Sequence, residues 1–344
     1  MLQLRYQAYE LAFQYPFTTA HGTKTHQPTL VVALGLGNVW GFGEAPAISY
    51  YDVTTDDMIR VLESKRSDIE RYALTEPDRF WHFLHHLIPG QHFLTAALDI
   101  AAWDLYARLG RKPLHKALRI DWGNAPATDY TIGIDTAEHM IEKMGSRPMP
   151  FYKIKVSTPD DVAILEQLRK HTEAPFRVDA NEGWTFDEAV RILPDLAKLG
   201  VELVEQPLNR NEQDAMQELK IVSPLPLFAD ESCRTEEDVR LCADGFHGIN
   251  IKLTKCGGIT PALRMIAAAR ALGMKVMFGS MNESSVGTAA FAHLLPLADF
   301  ADLDGPLLLT EDVATGLIYD GGAISFSGNT GSGITFRGAK FSTR

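Results

Sequence analysis

The 344-residue sequence has few cysteines, no long apolar run and no excess of basic residues. Its three cysteines, Cys233, Cys242 and Cys256, show neither CxxC nor metal-binding spacing. This pattern excludes a disulfide framework and favours a reducing compartment. No apolar stretch approaches the ~18 residues of a membrane helix, and the N-terminus lacks the basic head and apolar segment of a signal peptide. We therefore expect a cytoplasmic protein without a membrane partner.

The balance of charge further restricts the kinds of molecule that the protein is expected to bind. There are 33 Lys and Arg against 44 Asp and Glu, which gives a net charge of −11. An acidic surface is poorly suited to nucleic acid or to an anionic membrane. An apolar content of 45% and a charged content of 22% are ordinary for a globular protein with an ample core. We therefore predict no nucleic-acid partner.

The first 125 residues mix strand and helix patterns. The stretches "LQLRYQAYEL" and "PTLVVALGLG" read as strands, and the second is predicted to run into the glycine-rich turn "GLGNVWGFGEA". Helical spacing follows from Thr54 to about His86, and again in "FLTAALDIAAWDLYARLG", which ends at Gly110. We predict a small α+β unit over residues 1–125, to which a glycine-rich C-terminal segment, residues 321–344, returns.

From residue 126 onward, short apolar strands alternate with helical stretches. Residues at the strand ends recur every 22 to 28 positions: Lys155, Asp179, Glu205, Asp230, Lys252, Ser280 and Asp302. One strand, one helix and two short loops take about that length, so the spacing indicates a βα array. Eight strands counted from Thr131 are enough to close a (β/α)8-type barrel over residues 126–320. The C-terminal strand ends of such a barrel form its active-site face.

Three consecutive strands are each followed directly by a carboxylate. These are Asp179 in "RVDANEGW", Glu205 in "LVEQPL" and Asp230 in "FADES". Any one of them could instead cap the following helix, as Asp187 is expected to do. Three in successive units would repel one another at the barrel mouth unless a cation lay between them. A hard divalent ion with oxygen ligands meets this need, and Mg²⁺ is the natural choice.

Lysines end two strands that lie across the barrel from each other. Lys153 and Lys155 point to one face of the second strand, and Lys252 ends the sixth. Lysines on opposite sides of a metal suit removal of a proton next to a carboxylate and its return from the other face, through a metal-stabilised enediolate. We predict Lys155 and Lys252 as the two bases. Lys153 is expected to lower the pKa of Lys155 and to contact the substrate, whereas Lys255 is expected to start the next loop.

Taken together, these residues resemble the enolase superfamily and, within it, the muconate-lactonizing subgroup. The resemblance rests on Lys153-Ile154-Lys155, the three carboxylates and Lys252, and it extends over nearly the whole chain. It implies an α/β fold, a (β/α)8-type (modified TIM) barrel with an α+β N-terminal capping domain. It also implies an isomerase with one Mg²⁺ per subunit, and it is compatible with a homo-oligomer. The subgroup includes cycloisomerases, succinylbenzoate synthases, acyl-amino-acid racemases and dipeptide epimerases.

The eighth strand, "FADLDGP", favours the dipeptide epimerases. Asp302 and Asp304 lie on one face, where two carboxylates would repel a dicarboxylate and attract an ammonium group. A substrate with one carboxylate for the metal and a distant amine is a dipeptide, and this DxD pattern is similar to that of the family's dipeptide epimerases. We expect epimerisation of L-Ala-L-Xaa dipeptides at the C-terminal α-carbon. The alternatives are an N-acyl amino-acid racemase, a cycloisomerase or a non-enzymatic barrel, and Asp304 alone could cap a turn before Gly305.

Further substrate contacts are predicted at other strand ends. Thr131 lies on the first barrel strand, and Ser280, Met281 and Asn282 follow the seventh in "GSMNESS". The absence of histidine from the seventh-strand end argues against the acid-sugar dehydratases of the superfamily. His293, in the helix that follows, is expected to be structural.

The N-terminal region is expected to cover the site and to select the second residue of the substrate. Family members that act on Ala-Glu carry an arginine shortly after the "PF.TA" stretch, where this chain has Gly22. Lys24 or His21 could substitute, but the departure favours small or apolar Xaa. Loops around residues 17–27 and 46–54 are predicted to close over the barrel mouth and exclude water.

Overall fold

The computed structural model describes residues 1–158 and 161–338. The strands are β1 (Gln3–Thr19), β2 (Gly22–Leu36), β3 (Val39–Pro46), β4 (Tyr130–Ile132), β5 (Tyr152–Lys155), β6 (Phe176–Asp179), β7 (Val201–Glu205), β8 (Leu227–Ala229), β9 (Gly248–Ile251), β10 (Lys275–Gly279), β11 (Phe300–Asp302), β12 (Ala314–Thr315), β13 (Leu317–Asp320), β14 (Ala323–Phe326) and β15 (Thr335–Phe336). The helices are α1 (Thr55–Arg71), α2 (Pro77–Leu87), α3 (His92–Leu109), α4 (Leu114–Ala117), α5 (Ala137–Ser146), α6 (Asp161–Arg169), α7 (Phe186–Lys198), α8 (Gln213–Val222), α9 (Glu236–Gly245), α10 (Leu253–Cys256), α11 (Ile259–Ala271), α12 (Ser285–Ala292) and α13 (Gly305–Leu308). Within these described ranges, no helix has both the length and the apolar character that crossing a bilayer requires.

The N-terminal unit is a three-stranded antiparallel sheet, β1-β2-β3, covered by helices. The buried helix α3 packs directly on β3 because Gly41 and Gly43 leave room for it. A Cβ atom at Gly43 would lie 2.0 Å from the carbonyl oxygen of Ala97. The predicted glycine-rich turn is therefore wrong over most of its length, since only residues 37–38 turn and the later glycines belong to β3.

Two other local predictions in this unit need correction. The predicted loop around residues 17–27 is the tip of the β1–β2 hairpin, in which Phe17 pairs with Lys24 and Thr19 with Gly22. The helical pattern from Thr54 to His86 forms two helices, α1 and α2, because Pro77 begins a new helix at its first position. We call residues 17–27 the hairpin tip.

The eight-stranded parallel barrel predicted from the repeat is confirmed. Strands β4 to β11 are hydrogen-bonded in chain order. The two ends meet where Thr128 bridges Ala301 and the Asp129 backbone N–H donates to the Ala301 carbonyl oxygen at 3.2 Å. The C-terminal ends of all eight strands therefore converge on one mouth.

The described part of the C-terminal segment contacts both regions. The Thr128 backbone N–H donates to the Gly322 carbonyl oxygen at 2.9 Å, and the Gly331 N–H donates to the Lys112 carbonyl oxygen at 2.8 Å. The Ser332 N–H donates to Asp104 Oδ1 on α3 at 2.7 Å. The predicted boundaries at residues 125 and 320 stay predictions, and residues 339–344 of the predicted segment lie outside the described residues.

Buried carboxylates of the capping domain accept hydrogen bonds from the first residues of two barrel helices. Asp99 on α3 accepts from the Thr260 backbone N–H at 3.0 Å and from its hydroxyl at 2.7 Å, at the start of α11. Glu44 on β3 accepts from the Ser284 and Gly287 N–H groups, each at 3.0 Å, around the start of α12. We call these contacts the domain junction. They satisfy helix-end donors that would otherwise be buried without partners.

Candidate active site

A cavity of about 230 Å³ opens at the barrel mouth beneath the hairpin tip. Every substrate contact predicted from the sequence lines it: Thr131, Lys153, Ser280, Met281, Asn282, Asp302 and Asp304. So do the two predicted bases, Lys155 and Lys252, and residues of the hairpin tip and of the segment 48–51. The structure thus brings the predicted residues together, while their roles in catalysis stay predictions.

The three predicted metal ligands form one cluster at the floor of this cavity. Oxygen atoms of Asp179, Glu205 and Asp230 lie within 4.8 Å of one another. Asn250 donates to Glu205 Oε1 at 2.8 Å, and the Glu205 Oε2 atom lies 2.8 Å from the Lys153 ammonium. Three converging carboxylates offer the oxygen ligands that a hard divalent cation such as Mg²⁺ prefers.

The three carboxylates of the cluster differ in the direction of their pKa shifts. Burial and the neighbouring Asp179 raise the pKa of Glu205 to about 8. Burial acts in the same direction on Asp179 and Asp230, but nearby lysines outweigh it and hold both pKa values below their ordinary range. The lysines therefore keep Asp179 and Asp230 ionised, whereas the Lys153 ammonium, 2.8 Å from Glu205, does not offset the effect of burial there. Glu205 carries a proton at pH 7 unless a cation joins the cluster.

Lys153 lies inside a ring of carboxylates. Its ammonium is 2.7 Å from Asp302, 2.8 Å from Glu205 and 3.1 Å from Asp179, and the residue is 1% exposed. Burial alone would lower the pKa of Lys153, but the three carboxylates outweigh burial and hold the pKa well above its ordinary value. The repulsion between the two cations of the strand is relieved because Asp179 Oδ2 contacts both Lys153 and Lys155.

Lys155 and Lys252 each contact a different carboxylate of the cluster. Lys155 Nζ donates to Asp179 Oδ2 at 2.6 Å, and Lys252 Nζ donates to Asp230 Oδ2 at 2.8 Å. Their strands, β5 and β9, are the second and sixth of eight and lie on opposite walls. Burial would lower the pKa of Lys252, but Asp230 outweighs it and raises the pKa above its ordinary value.

The prediction that Lys255 starts a loop is wrong. One turn of helix, α10, follows β9 directly and directs the Lys255 side chain back beneath the mouth. Its ammonium donates to Asp230 Oδ1 at 2.6 Å and to the backbone carbonyls of Asp230 and Asn250 at 2.6 and 3.0 Å. Lys255 therefore fixes the carboxylate that also contacts Lys252.

Asp302 and Asp304 face the cavity, and other residues of the mouth already bind both. Asp302 accepts from Lys153 at 2.7 Å and from the Thr131 hydroxyl at 3.3 Å. Asp304 accepts from the Thr131 backbone N–H at 2.5 Å, and burial together with Asp302 raises the pKa of Asp304 to about 7. The Asp304 side chain makes no capping hydrogen bond to α13, so the alternative role as a helix cap is not observed.

The hairpin tip contributes both residues that were considered as substitutes for an arginine. Lys24 donates to Gln27 Oε1 at 3.2 Å, and burial, followed by Lys155 and Lys252, lowers its pKa. The His21 ring packs at a tilt against the Tyr50 ring, with ring centroids 4.7 Å apart. Gly22 occupies the turn between them with a φ of +124°, a conformation that glycine adopts without strain.

Other residues of the region are structural or were missed by the sequence analysis. His293 lies at the end of α12, fully buried, and its ring stacks on Phe326 with centroids 3.8 Å apart, in keeping with the expected structural role. Asn181 and Glu231 line the cavity but were not predicted. Their signal was available, because each follows a predicted metal ligand closely, in "DAN" and "DES".

Comparisons with known proteins agree with this geometry. A family model described as "Enolase C-terminal domain-like" matches residues 134–340, more than half of the chain. An L-Ala-D/L-amino acid epimerase from Flavobacterium johnsoniae is 44% identical over 97% of this chain and 99% of the relative. The substrate-liganded L-Ala-D/L-Glu epimerase from Bacillus subtilis has a TM-score of 0.91 at 30% identity, over 96% of this chain and 98% of that one.

A third relative carries the expected metal. A dipeptide epimerase from Cytophaga hutchinsonii, complexed with Mg and the dipeptide D-Ala-L-Val, has a TM-score of 0.89 at 26% identity, over 97% of this chain and 95% of that one. The comparisons confirm the predicted fold and the predicted enzyme class, an isomerase. On the match over residues 134–340 and the 44% identity across nearly its full length, this chain belongs to the enolase superfamily.

Proposed function

We propose that this protein is a Mg²⁺-dependent dipeptide epimerase. It inverts the C-terminal α-carbon of L-Ala-L-Xaa dipeptides in which Xaa is small or apolar. The names of its 44%-identical relative and of the Mg-complexed neighbour support this reaction class. The observation that carries the proposal is that Lys155 and Lys252 contact two different members of one carboxylate cluster from opposite barrel walls.

The two lysines move the proton. One of them, as the free amine, accepts the α-proton from the face that it contacts. The other, as the ammonium, donates a proton to the opposite face, and the configuration at the α-carbon is inverted. The lysines have then exchanged protonation states, so the reverse reaction starts from the form that the forward reaction leaves.

Asp179, Glu205 and Asp230 would hold the metal, and the remaining residues hold the rest of the substrate. The bound Mg²⁺ supplies positive charge that stabilises the negative charge developing on the substrate carboxylate. Asp302 and Asp304 accept hydrogen bonds from the ammonium group of the first residue of the dipeptide. The side chain of the second residue contacts apolar parts of the cavity, to which Phe17, Ile48 and Met281 contribute.

The proposal is tested by incubation with Mg²⁺ and a set of L-Ala-L-Xaa dipeptides in D₂O. We expect one deuterium per turnover at the C-terminal α-carbon and a new diastereomer, which mass spectrometry and chiral chromatography measure together. L-Ala-L-Val should react faster than L-Ala-L-Glu if the small or apolar preference holds. Absence of exchange with every dipeptide would contradict the proposal.

Asp302→Asn separates a dipeptide epimerase from an N-acyl amino-acid racemase. Loss of the carboxylate that faces the substrate amine should lower kcat/KM for dipeptides by roughly 100-fold, the usual range for a desolvated charged contact. Activity toward N-acetyl amino acids, which carry no ammonium, should stay low in both proteins. Asp320→Asn, at an exposed position, is the control. Exchange of N-acetyl substrates in preference to dipeptides would assign the racemase instead.

The cytoplasmic location belongs to this proposal as well. Fractionation of cells that express the protein measures it, and recovery with the membrane fraction would contradict it. The resemblance is compatible with a homo-oligomer without requiring one, and light scattering of the purified protein measures the oligomeric state.

A further inference from the structure

A line of polar contacts runs from the hairpin tip to Lys155. Lys155 Nζ donates to Asn181 Oδ1 at 3.2 Å, and Asn181 Nδ2 donates to Glu231 Oε1 at 3.2 Å. The same Glu231 oxygen lies 3.9 Å from His21 Nε2 on the hairpin tip. We call His21, Glu231, Asn181 and Lys155 the polar chain.

The chemistry of its members fixes the orientation of the Asn181 amide. A lysine ammonium can only donate, and a carboxylate accepts, so the amide oxygen must face Lys155 while the amide nitrogen faces Glu231. The backbone N–H of Asn181 also donates to Asp179 Oδ1 at 3.0 Å, with a φ of 43° that asparagine tolerates better than most residues. Asn181 is therefore held from three sides, and Glu231 decides which end of its amide meets the lysine.

Glu231 lies where a movement of the hairpin tip would change its contact with His21. Its side chain is 5% exposed, and its buried Oε2 atom has no hydrogen-bond partner. The His21 side chain is 37% exposed and packs against Tyr50, whose hydroxyl donates to Glu182 at 2.8 Å. A distance of 3.9 Å is longer than a hydrogen bond. A small movement of the hairpin tip toward the barrel would close it.

Lys252 has no matching connection. Within residues 1–158 and 161–338, the only side-chain hydrogen bond of its ammonium is to Asp230, which Lys255 holds from below. Lys255 belongs to α10 in the barrel. The two proposed bases therefore differ, because among the described residues the polar chain reaches Lys155 and not Lys252, although Lys24 of the hairpin tip lines the same cavity as both.

We propose that Asn181 and Glu231 are positioning residues for Lys155, and that His21 completes the polar chain when the hairpin tip covers a bound dipeptide. This inference rests on the proposed function and deepens it. The half of the reaction that passes through Lys155 depends on cover by the hairpin tip, and the half that passes through Lys252 does not. Misplacement of a base by a fraction of an ångström to 1 Å lowers its rate by about 10- to 100-fold.

The experiment measures α-proton exchange in D₂O from the two epimers of one dipeptide separately. Lys155→Ala first identifies the epimer that faces Lys155, as the one whose exchange it abolishes. Glu231→Gln should then slow exchange of that epimer by about 10- to 100-fold, while exchange of the other epimer stays within about 2-fold. His21→Ala should act on the same epimer with a smaller loss of about 3- to 10-fold, because His21 is further along the polar chain.

Glu283→Gln is the matched control, because Glu283 is a buried glutamate outside the polar chain, and its Oε2 atom accepts a hydrogen bond from the Met281 backbone N–H. It should leave the ratio of the two exchange rates unchanged. Calorimetry with Mg²⁺ should give the same affinity for Glu231→Gln and the unmodified protein. An equal loss for both epimers, or a weakened Mg²⁺ site, would show a structural role and overturn the inference.

A second measurement keeps the inference testable without turnover. Acetylation by a small amine-reactive ester, followed by peptide mass spectrometry, reports the accessibility of Lys155 relative to Lys252. Glu231→Gln should raise labelling of Lys155 at least 3-fold with Lys252 unchanged. If the unmodified protein exchanges no dipeptide, the proposed function fails. The labelling ratio of Lys155 to Lys252 still tests the polar chain in that case. A ratio that Glu231→Gln leaves unchanged would overturn the inference.

Discussion

Buried carboxylates occur at the barrel mouth and at the domain junction, and their partners differ. At the mouth, Asp179 and Asp230 contact lysine ammonium groups, and their pKa values lie below the ordinary range. At the junction, Asp99 accepts hydrogen bonds from neutral groups of Thr260 and from the Ile259 backbone N–H, and burial raises its pKa to about 7. Burial also raises the pKa of Glu44, despite its hydrogen bonds from Ser284.

The difference teaches that hydrogen bonds from neutral groups satisfy a buried carboxylate without keeping it ionised. A carboxylate ligand must be ionised once the cation is bound, and nearby lysines keep Asp179 and Asp230 ionised at neutral pH before binding, whereas Glu205 has to release a proton. Beside their proposed role in proton transfer, lysines of the mouth thus hold two of the predicted ligands in their charged form. The junction needs no charge, and its carboxylates serve as acceptors for helix-end donors.

Removal of a lysine should have the largest effect on activity, because it breaks an ion pair between a lysine and a carboxylate at the barrel mouth. Lys155→Ala and Lys252→Ala should each lower epimerisation by about 10³-fold or more, since each removes one of two obligatory proton carriers. Exchange of the α-proton should survive for one epimer only, and for opposite epimers in the two variants. Deuterium incorporation measured by mass spectrometry checks this. Lys198→Ala, at an exposed position on α7, is the control, and normal epimerisation by either variant would refute the two-base scheme.

Replacement of Glu205 should have the next largest effect, on metal binding. This carboxylate has a raised pKa of about 8, so it carries a proton at pH 7 that the cation displaces. Calorimetry in two buffers of different ionisation enthalpy should show release of close to one proton per Mg²⁺. Glu205→Gln should lose that release and weaken Mg²⁺ binding by at least about 10-fold, because one of three charged ligands is gone.

A contrary result for Glu205 would be informative. Proton release that persists in Glu205→Gln would mean that another group of the mouth holds the proton. Unchanged affinity would mean that the metal ligands do not include Glu205, and the comparison between mouth and junction would lose its basis.

The smallest expected effect is at the junction, and it concerns stability. The pKa of Asp99 is about 7 in the folded protein and ~3.9 in an unfolded chain. The folded state therefore binds the proton more tightly, and this contribution to stability is present below about pH 4 and falls as the pH rises to about 7. Relative to Asp99→Asn, the unmodified protein should lose about 2–3 kcal/mol of unfolding free energy between pH 5 and pH 8.

Urea unfolding at the two pH values measures this difference directly. Asp121→Asn, at an exposed carboxylate, should show the same pH dependence as the unmodified protein. If Asp99→Asn also shows that same dependence, Asp99 is ionised at neutral pH and the contrast between the two regions is smaller than the structure indicates.

Residues at the strand ends of the barrel were predictable because the repeat fixes where they lie. Once the spacing indicates parallel strands, the residues after each strand must meet at one mouth, whatever the loops do. This is why Asp179, Glu205 and Asp230 could be assigned to one cluster. The two lysines of β5 followed from the alternation of side chains along a strand.

Residues whose partners are distant in the chain could not be predicted in the same way. Asp99 and Thr260 are 161 positions apart, and Glu44 and Ser284 are 240 apart. No periodic pattern joins such pairs, and an acidic residue in an apolar helix or strand carries no mark of its partner. Lys255 was assigned to a loop because the single helical turn of α10 is too short to leave a periodic signal.

The junction also limits how a substrate reaches the cavity. The first residues of helices α11 and α12 donate hydrogen bonds to Asp99 and Glu44, and both carboxylates are fully buried in the capping domain. Rotation of that domain away from the barrel would leave several buried donors without acceptors at once, at a cost of about 1–3 kcal/mol each. Entry is therefore expected to occur by local displacement of the hairpin tip on the nanosecond-to-microsecond timescale of loop motions. The rate of substrate entry should then depend on a few residues around Gly22. It should be insensitive to mutations that destabilise the remainder of the capping domain.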